Sequence, residues 1–167
     1  DGRTLVVTLL DDSGFDLIDL RPGSYGTVRR LQAPRAASRG YVESLVCAEK
    51  GSFWISQMTT DSVYEYSLPG AGAPASENDP AEDAPRAAGA GETAPRLLRT
   101  LSTQGIWPKV MVMDPAGRWL AVSTWVSNSV AVLDYSTGEP AALLTALAVP
   151  RGLAFSPDGS ALYICSF

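Results

Sequence analysis

An internal repeat constrains this chain more than any other feature of its sequence. Residues 150–164 align with residues 108–122 without a gap, and the two copies lie 42 residues apart. The N-terminal turns follow the same pattern at a distance of 115 residues: Gly2 with Gly117, Asp19 with Asp134 and Gly23 with Gly138. A fixed period of about 40–45 residues that holds several short strands is typical of a β-propeller blade.

The best-preserved unit, residues 108–147, contains four predicted strands separated by turns. Its first turn is the sequence 114–117, in which Pro115 presets φ and Gly117 can adopt the positive φ that closes the turn. Asp134 and its counterpart Asp19 end a strand, and we expect both to accept backbone N–H groups. Four strands in about 42 residues match one four-stranded antiparallel blade.

The sequence therefore predicts an all-β fold, a single β-propeller segment over residues 1–167. Its blade units are about 1–38, 39–104, 105–148 and 149–167, with three, four, four and two predicted strands. Propellers have about four to eight four-stranded blades, so thirteen strands predict a partial ring or a fragment of a larger propeller. Open strand edges at both ends favour self-association. We expect these side chains to be mostly buried: Leu45, Trp119, Leu120, Val130, Val132, Phe155 and Leu162.

Residues 69–95 interrupt the period. Nine of these 27 residues are Ala, five are Pro and four are Gly, and none is large and apolar. Such a segment buries too little surface to offset the entropy of ordering it. The composition predicts a flexible surface insertion between the third and fourth strands of the second unit.

Composition and charge exclude several functions for this segment. The net charge of −5 argues against nucleic acid, which requires a basic face. No window approaches the roughly 18 apolar residues of a membrane span. The chain has no histidine, which excludes within this segment a Ser-His-Asp triad and a His-ligated metal.

The two cysteines, Cys47 and Cys165, lie in apolar runs and are interpreted as buried thiols. A disulfide between them is an alternative that the sequence leaves open.

The repeat resembles the YVTN-type repeat of bacterial seven-bladed propellers, which include lactonase-like and surface-layer-like proteins. The resemblance rests on residues 150–159 followed by Leu162-Tyr163-Ile164, and on residues 120–134 with Thr137-Gly138. It implies the propeller fold and, by analogy, a periplasmic or cell-surface location. Related propellers include surface-layer proteins, sugar lactonases, and dehydrogenase subunits that carry quinone or haem. The motif builds the scaffold, whereas function lies in the loops grafted onto it.

In propellers of this kind the innermost strand lines a central channel, so the loops at one mouth are the natural ligand site. Lys109 and Arg151 are equivalent by the 42-residue register, and each follows a proline. Two cations beside tryptophan would suit an anionic or carbohydrate ligand. The full candidate set is Glu43, Gln57, Trp107, Lys109, Trp125 and Arg151, joined at the same mouth by Met58, Thr124 and Phe167.

Two functions follow from these residues. The first is a non-enzymatic binding or scaffold module, because folding explains every marked residue of the repeat; its partner would be a protein or a small anionic or carbohydrate ligand. The alternative is a lactonase-like hydrolase acting on a small sugar lactone at the channel mouth. Glu43 is the one carboxylate in the candidate set. We assign no catalytic residue, no metal and no cofactor.

Overall fold

The computed structural model describes residues 3–9, 14–32, 41–68, 95–145 and 148–167. The described residues form thirteen strands and one short 3-10 helix, Ala48–Lys50, which confirms the all-β prediction. The strands are β1 Thr4–Thr8, β2 Gly14–Asp19, β3 Val28–Gln32, β4 Tyr41–Cys47, β5 Ser52–Gln57, β6 Ser62–Ser67, β7 Leu97–Ser102, β8 Pro108–Met113, β9 Trp119–Thr124, β10 Ser129–Asp134, β11 Pro140–Leu144, β12 Pro150–Phe155 and β13 Leu162–Ser166.

The strands form four antiparallel sheets, which we call blades 1 to 4. Their strand orders are β1-β2-β3, β4-β5-β6-β7, β8-β9-β10-β11 and β12-β13. Strand β8 contacts both β4 and β12, so the first strand of each of blades 2, 3 and 4 lies on one shared inner side. Blades 2, 3 and 4 therefore each run outward from the inner side, as in a β-propeller.

The repeated turns explain why the strands begin and end where the period predicts. Gly51, Gly117 and Gly159 occupy the same turn of three successive blades, with φ of 66°, 65° and 71°. A side chain is disfavoured at such positive φ, so glycine recurs there. Asp134 accepts the N–H groups of Ser136 and Thr137 at 2.8 and 3.0 Å, which confirms the expected turn role.

Side chains alternate along each strand and thus build two separate cores between blades. Between blades 1 and 2 the buried residues are Val6, Phe15, Leu17, Phe53, Ile55, Tyr64 and Tyr66. Between blades 2 and 3 they are Cys47, Trp54, Val63, Met111, Leu120, Val122, Ala131 and Leu133. Burying one large apolar side chain stabilises the fold by roughly 1.5–3 kcal/mol, so each interface is a substantial core.

The burial predictions hold best in blade 3. Leu120 and Val130 are fully buried there. The other five residues of the predicted set are half-buried: Leu45, Trp119, Val132, Phe155 and Leu162. The last two lie in blade 4, where the described residues supply two strands and therefore less cover.

Both cysteines are free thiols, and their environments differ. Cys47 is buried as predicted, and burial raises the pKa of its thiol to about 11. The prediction that Cys165 is buried is wrong, because its side chain is exposed on β13, a strand paired only with β12 among the described residues. The predicted insertion lies, apart from Pro95, outside the described residues.

Candidate functional site

Two residues with left-handed backbone lead the chain into the inner strands of blades 3 and 4. Trp107 and Val149 have φ of 64° and 38°, lie 42 residues apart, and each precedes the proline that opens an inner strand. Positive φ is a genuine outlier for a β-branched residue such as valine. The N–H of Val149 donates to Asn128 Oδ1 at 2.9 Å, and the carbonyl of Trp107 accepts from the N–H of Trp125 at 3.0 Å. These bonds fix the backbone just ahead of Lys109 and Arg151.

The two predicted cations meet at one aromatic ring. Lys109 Nζ lies 3.3 Å from the centroid of the Trp125 ring, and Arg151 Cζ lies 4.6 Å from the same centroid. Arg151 Cζ also lies 4.4 Å from the ring of Phe167, the counterpart of Trp125 one blade later. We call Lys109, Trp125, Arg151 and Phe167 the cation site. The site bridges blades 3 and 4.

Arg151 is exposed and has no carboxylate partner among the described residues. A guanidinium that lies over an aromatic ring keeps its in-plane N–H donors available for a carboxylate or phosphate. The Trp125 Nε1 atom is buried and has no hydrogen-bond acceptor within the described part of the chain. The site therefore offers positive charge and the N–H donors of the Arg151 guanidinium.

Two other predicted site residues have buried side chains. Gln57 is fully buried, and its Oε1 accepts the hydroxyl of Tyr64 at 2.9 Å. Thr124 is fully buried and its hydroxyl lies 2.6 Å from that of Ser129. Both residues are the last of their strands, β5 and β9. Met58 is half-buried. Glu43 lies on β4, and its side chain is outside the described part of the structure.

A second polar cluster, which sequence reasoning missed, lies buried between blades 2 and 3. Glu65 Oε2 pairs with Arg99 Nε at 2.6 Å, while its Oε1 accepts from Ser52 Oγ at 2.6 Å and from the Tyr135 hydroxyl at 2.5 Å. Arg99 Cζ also lies 4.5 Å from the Tyr135 ring. Burial, together with the hydrogen bond to Glu65, raises the pKa of Tyr135 to about 12.

The Glu65 cluster is a closed network, because both carboxylate oxygens have protein donors. A signal in the sequence could have revealed part of it. Glu65 pairs across strands with Arg99, and Asp16 of blade 1 likewise pairs across strands with Arg30. An acidic residue and an arginine on the last two strands thus recur one blade apart.

Carboxylates in the turns are likewise engaged in local hydrogen bonds. The hydroxyl of Ser156 and groups of Ser160 hydrogen-bond to Asp158 and lower its pKa to about 2. Side-chain and backbone hydrogen bonds from Arg21 lower the pKa of Asp19.

Among the described residues no group of three or more His, Cys, Asp or Glu side chains could hold a metal ion. Within the same residues no helix is long and apolar enough to cross a bilayer.

Comparisons with known proteins support the fold. No family model matches the chain. A curated protein, Antigen Lp49 of Leptospira interrogans, is 28% identical over 169 positions that cover the whole chain but 31% of that protein. The chain thus corresponds to about a third of the curated relative.

Solved structures with the same fold come from proteins of different kinds. A "putative 6-phosphogluconolactonase" from Bacteroides uniformis superposes with a TM-score of 0.70 and 16% identity, over 99% of this chain and 48% of that one. The β-propeller domain of Cps50 (Swd1) from Myceliophteria thermophila gives a TM-score of 0.68 and 12% identity, over 99% and 47%. At such identities the likeness establishes the fold alone. The chain is a β-propeller segment.

Proposed function

We propose that this chain is part of a non-enzymatic binding module of the bacterial YVTN type, and that its cation site recognises an anionic group. The observation that carries the proposal is the placement of Lys109 and Arg151 over the one ring of Trp125. The repeat by itself requires neither cation for folding. Their convergence at the inner end of two blades gives the module a ligand site.

The aromatic rings prepare the site for binding. Arg151 lies over both Trp125 and Phe167, and these contacts restrict a long side chain that would otherwise lose rotamer entropy on binding. Because cations already lie over the Trp125 ring, a ligand would interact through its charge more than by stacking on the ring. A carboxylate or phosphate that accepts from the guanidinium edge fits this arrangement.

A titration with D-gluconate and with neutral D-glucose, followed by isothermal calorimetry, tests the proposal. We expect heat of binding for gluconate, weakened by added salt as exposed charge interactions are, and none for glucose. Arg151→Gln should abolish the gluconate signal. Arg118→Gln is the matched control, because Arg118 Cζ also lies over a tryptophan, 5.9 Å from Trp119, at the opposite end of β9. Equal binding of gluconate and glucose, or gluconate binding that survives Arg151→Gln, would contradict the proposal that the cation site recognises an anionic group.

The enzymatic alternative is tested on the same protein. A binding module does not turn over glucono-δ-lactone. Glu43 occupies the blade 2 position that corresponds to Lys109 and Arg151, so it is the carboxylate to replace. Lactone hydrolysis that Glu43→Gln abolishes would replace the binding function with a hydrolase.

A further inference from the structure

Beside the cation site, three large apolar side chains are exposed on neighbouring loops. Ile106 is 55% exposed, Val126 is 52% exposed and Trp107 is 38% exposed. We call these residues the rim patch. Isolated exposed apolar residues are ordinary, whereas a contiguous group on loops indicates an interaction surface.

Backbone hydrogen bonds show that the rim patch is contiguous. The N–H of Val126 donates to the carbonyl of Ile106 at 3.3 Å, and the N–H of Ile106 donates to Ser127 Oγ at 2.8 Å. The N–H of Trp125 donates to the carbonyl of Trp107 at 3.0 Å. Because Trp125 belongs to the cation site, the apolar and cationic surfaces adjoin.

The loop that carries Ile106 and Trp107 is held in place by a buried hydroxyl group and by close packing on β9. Thr103 is fully buried, and its hydroxyl lies 2.8 Å from the carbonyl of Asp61 and 3.0 Å from that of Gly105. Gly105 packs so closely on β9 that a Cβ atom there would lie 2.6 Å from Thr124 Oγ1. The loop is therefore held in one arrangement, which reduces the entropy lost when a partner binds.

We propose that the rim patch and the cation site together dock a segment of a partner protein in which an acidic side chain adjoins apolar ones. The proposal rests on the proposed function, because the acidic group of the partner occupies the cation site. The apolar side chains of the segment cover Ile106, Trp107 and Val126. Tryptophan and arginine beside a desolvated apolar patch are the residues that most often dominate binding energy in protein interfaces.

Charge favours a protein segment over a membrane surface. Recognition of anionic lipid typically uses clusters of about 4–8 Lys or Arg, whereas this surface presents Lys109 and Arg151. The chain as a whole carries a net charge of −5, which an anionic bilayer repels. A local pair of cations on an acidic chain suits a partner that is acidic only at the contact point.

A random dodecapeptide phage library, selected on the full chain, tests the inference. We expect enriched peptides to carry Asp or Glu within a few positions of Leu, Ile, Phe or Trp. A fluorescein-labelled copy of the strongest peptide should lose at least about tenfold in affinity on Val126→Asp and on Arg151→Gln. Val28→Asp is the matched control and should bind normally, because Val28 is a valine of similar exposure, 55%, on β3 of blade 1.

Circular dichroism of each variant shows whether it folds, and Ile106→Ser repeats the test if Val126→Asp does not. Absence of peptide enrichment, or peptide binding that survives both Val126→Asp and Ile106→Ser, would overturn the docking surface. If the protein sediments with phosphatidylserine vesicles and Val126→Asp prevents this, the patch binds lipid. If the protein forms a concentration-dependent dimer and Val126→Asp prevents this, the patch binds a second copy. Either result would also overturn the proposed docking of a partner segment. The gluconate titration tests anion binding at the cation site separately. The proposed function and the docking surface can therefore be contradicted by different experiments.

Discussion

Blades 1 and 2 each hold a cross-strand pair of a carboxylate and an arginine, and the surroundings of the two pairs differ. Asp16 pairs with Arg30 between β2 and β3, and Glu65 pairs with Arg99 between β6 and β7. The side chains of the first pair are 13% and 45% exposed, whereas those of the second are 3% and 26% exposed. Blade 1 thus holds a surface ion pair and blade 2 a covered ion pair.

The face on which each pair lies causes the difference. Phe15 and Leu17 pack against blade 2, so Asp16 between them faces away from that blade, whereas Glu65 faces blade 3. Tyr135 of blade 3 places its hydroxyl against Glu65 and its ring against Arg99. Strand pairing decides which residues face each other, and the neighbouring blade decides how much that contact contributes to stability.

Removing Glu65 gives the largest expected effect. Glu65→Ala should lower the free energy of unfolding by about 3–5 kcal/mol, because it leaves the charge of Arg99 without its partner in a largely covered site. Equilibrium urea denaturation measures the change. The double variant Glu65→Leu with Arg99→Met should recover most of the loss, since an apolar pair of similar volume is often as stable as a buried ion pair. A loss below about 1 kcal/mol for Glu65→Ala would show that the covered pair behaves like a surface pair.

Removing only the hydroxyl from blade 3 should have an intermediate effect. Tyr135→Phe keeps the ring beside Arg99 and Trp54 but deletes the hydrogen bond to Glu65. We expect a loss of about 1.5–3 kcal/mol, as for one hydrogen bond to a charged group. A double-mutant cycle with Glu65→Ala isolates the pair, and additive losses would mean that the two side chains do not interact.

The surface pair should contribute little. Asp16→Ala is expected to change the free energy of unfolding by about 0–1 kcal/mol, because Arg30 remains solvated when its partner is lost. Urea denaturation under the conditions used for Glu65→Ala gives the direct comparison. Equal losses for the two variants would remove the distinction between the blades.

The covered cluster also predicts a loss of stability at alkaline pH. The pKa of Tyr135 is raised to about 12 from an ordinary value of 10.0, so the unfolded chain releases this proton first. Its contribution is complete below pH 10 and is lost as the pH rises toward about 12. Cys47, with a thiol pKa of about 11, acts in the same direction. The urea midpoints at pH 9 and pH 11 should therefore differ less in Tyr135→Phe than in the unmodified protein. An unchanged difference would show that Tyr135 is not a source of the alkaline loss of stability.

The smallest expected effect lies at acidic pH in the exposed turn of blade 4. Hydrogen bonds from Ser156 and Ser160 lower the pKa of Asp158 from 3.8 to about 2. The stability that the carboxylate contributes is present above about pH 4 and is lost as the pH falls toward about 2. Asp158→Asn should flatten this part of the acid-denaturation curve. A curve that keeps its shape would show that the turn does not need the charge.

Much of the fold was predictable because it depends on local chemistry. Turn glycines such as Gly117 and Gly159 and the turn carboxylates are set by backbone conformation within a few residues, and the 42-residue register then places the strands. The same register predicted that Lys109 and Arg151 are equivalent, and Trp125 follows as the residue after β9. The burial of Gln57 and its hydrogen bond with Tyr64 could not be predicted in this way, because they depend on side-chain packing that the repeat does not encode.

The sequence by itself determined the period, the turns, the four-strand pattern of the complete blades and the equivalence of the two cations, because each depends on backbone preferences within one repeat. Only the tertiary structure decided that both cations lie over a single ring, that Tyr135 covers Glu65, and that Ile106 and Val126 form one exposed surface. These contacts join residues of different blades or different loops. Their energies depend on burial and distance, which arise only when the blades pack against each other.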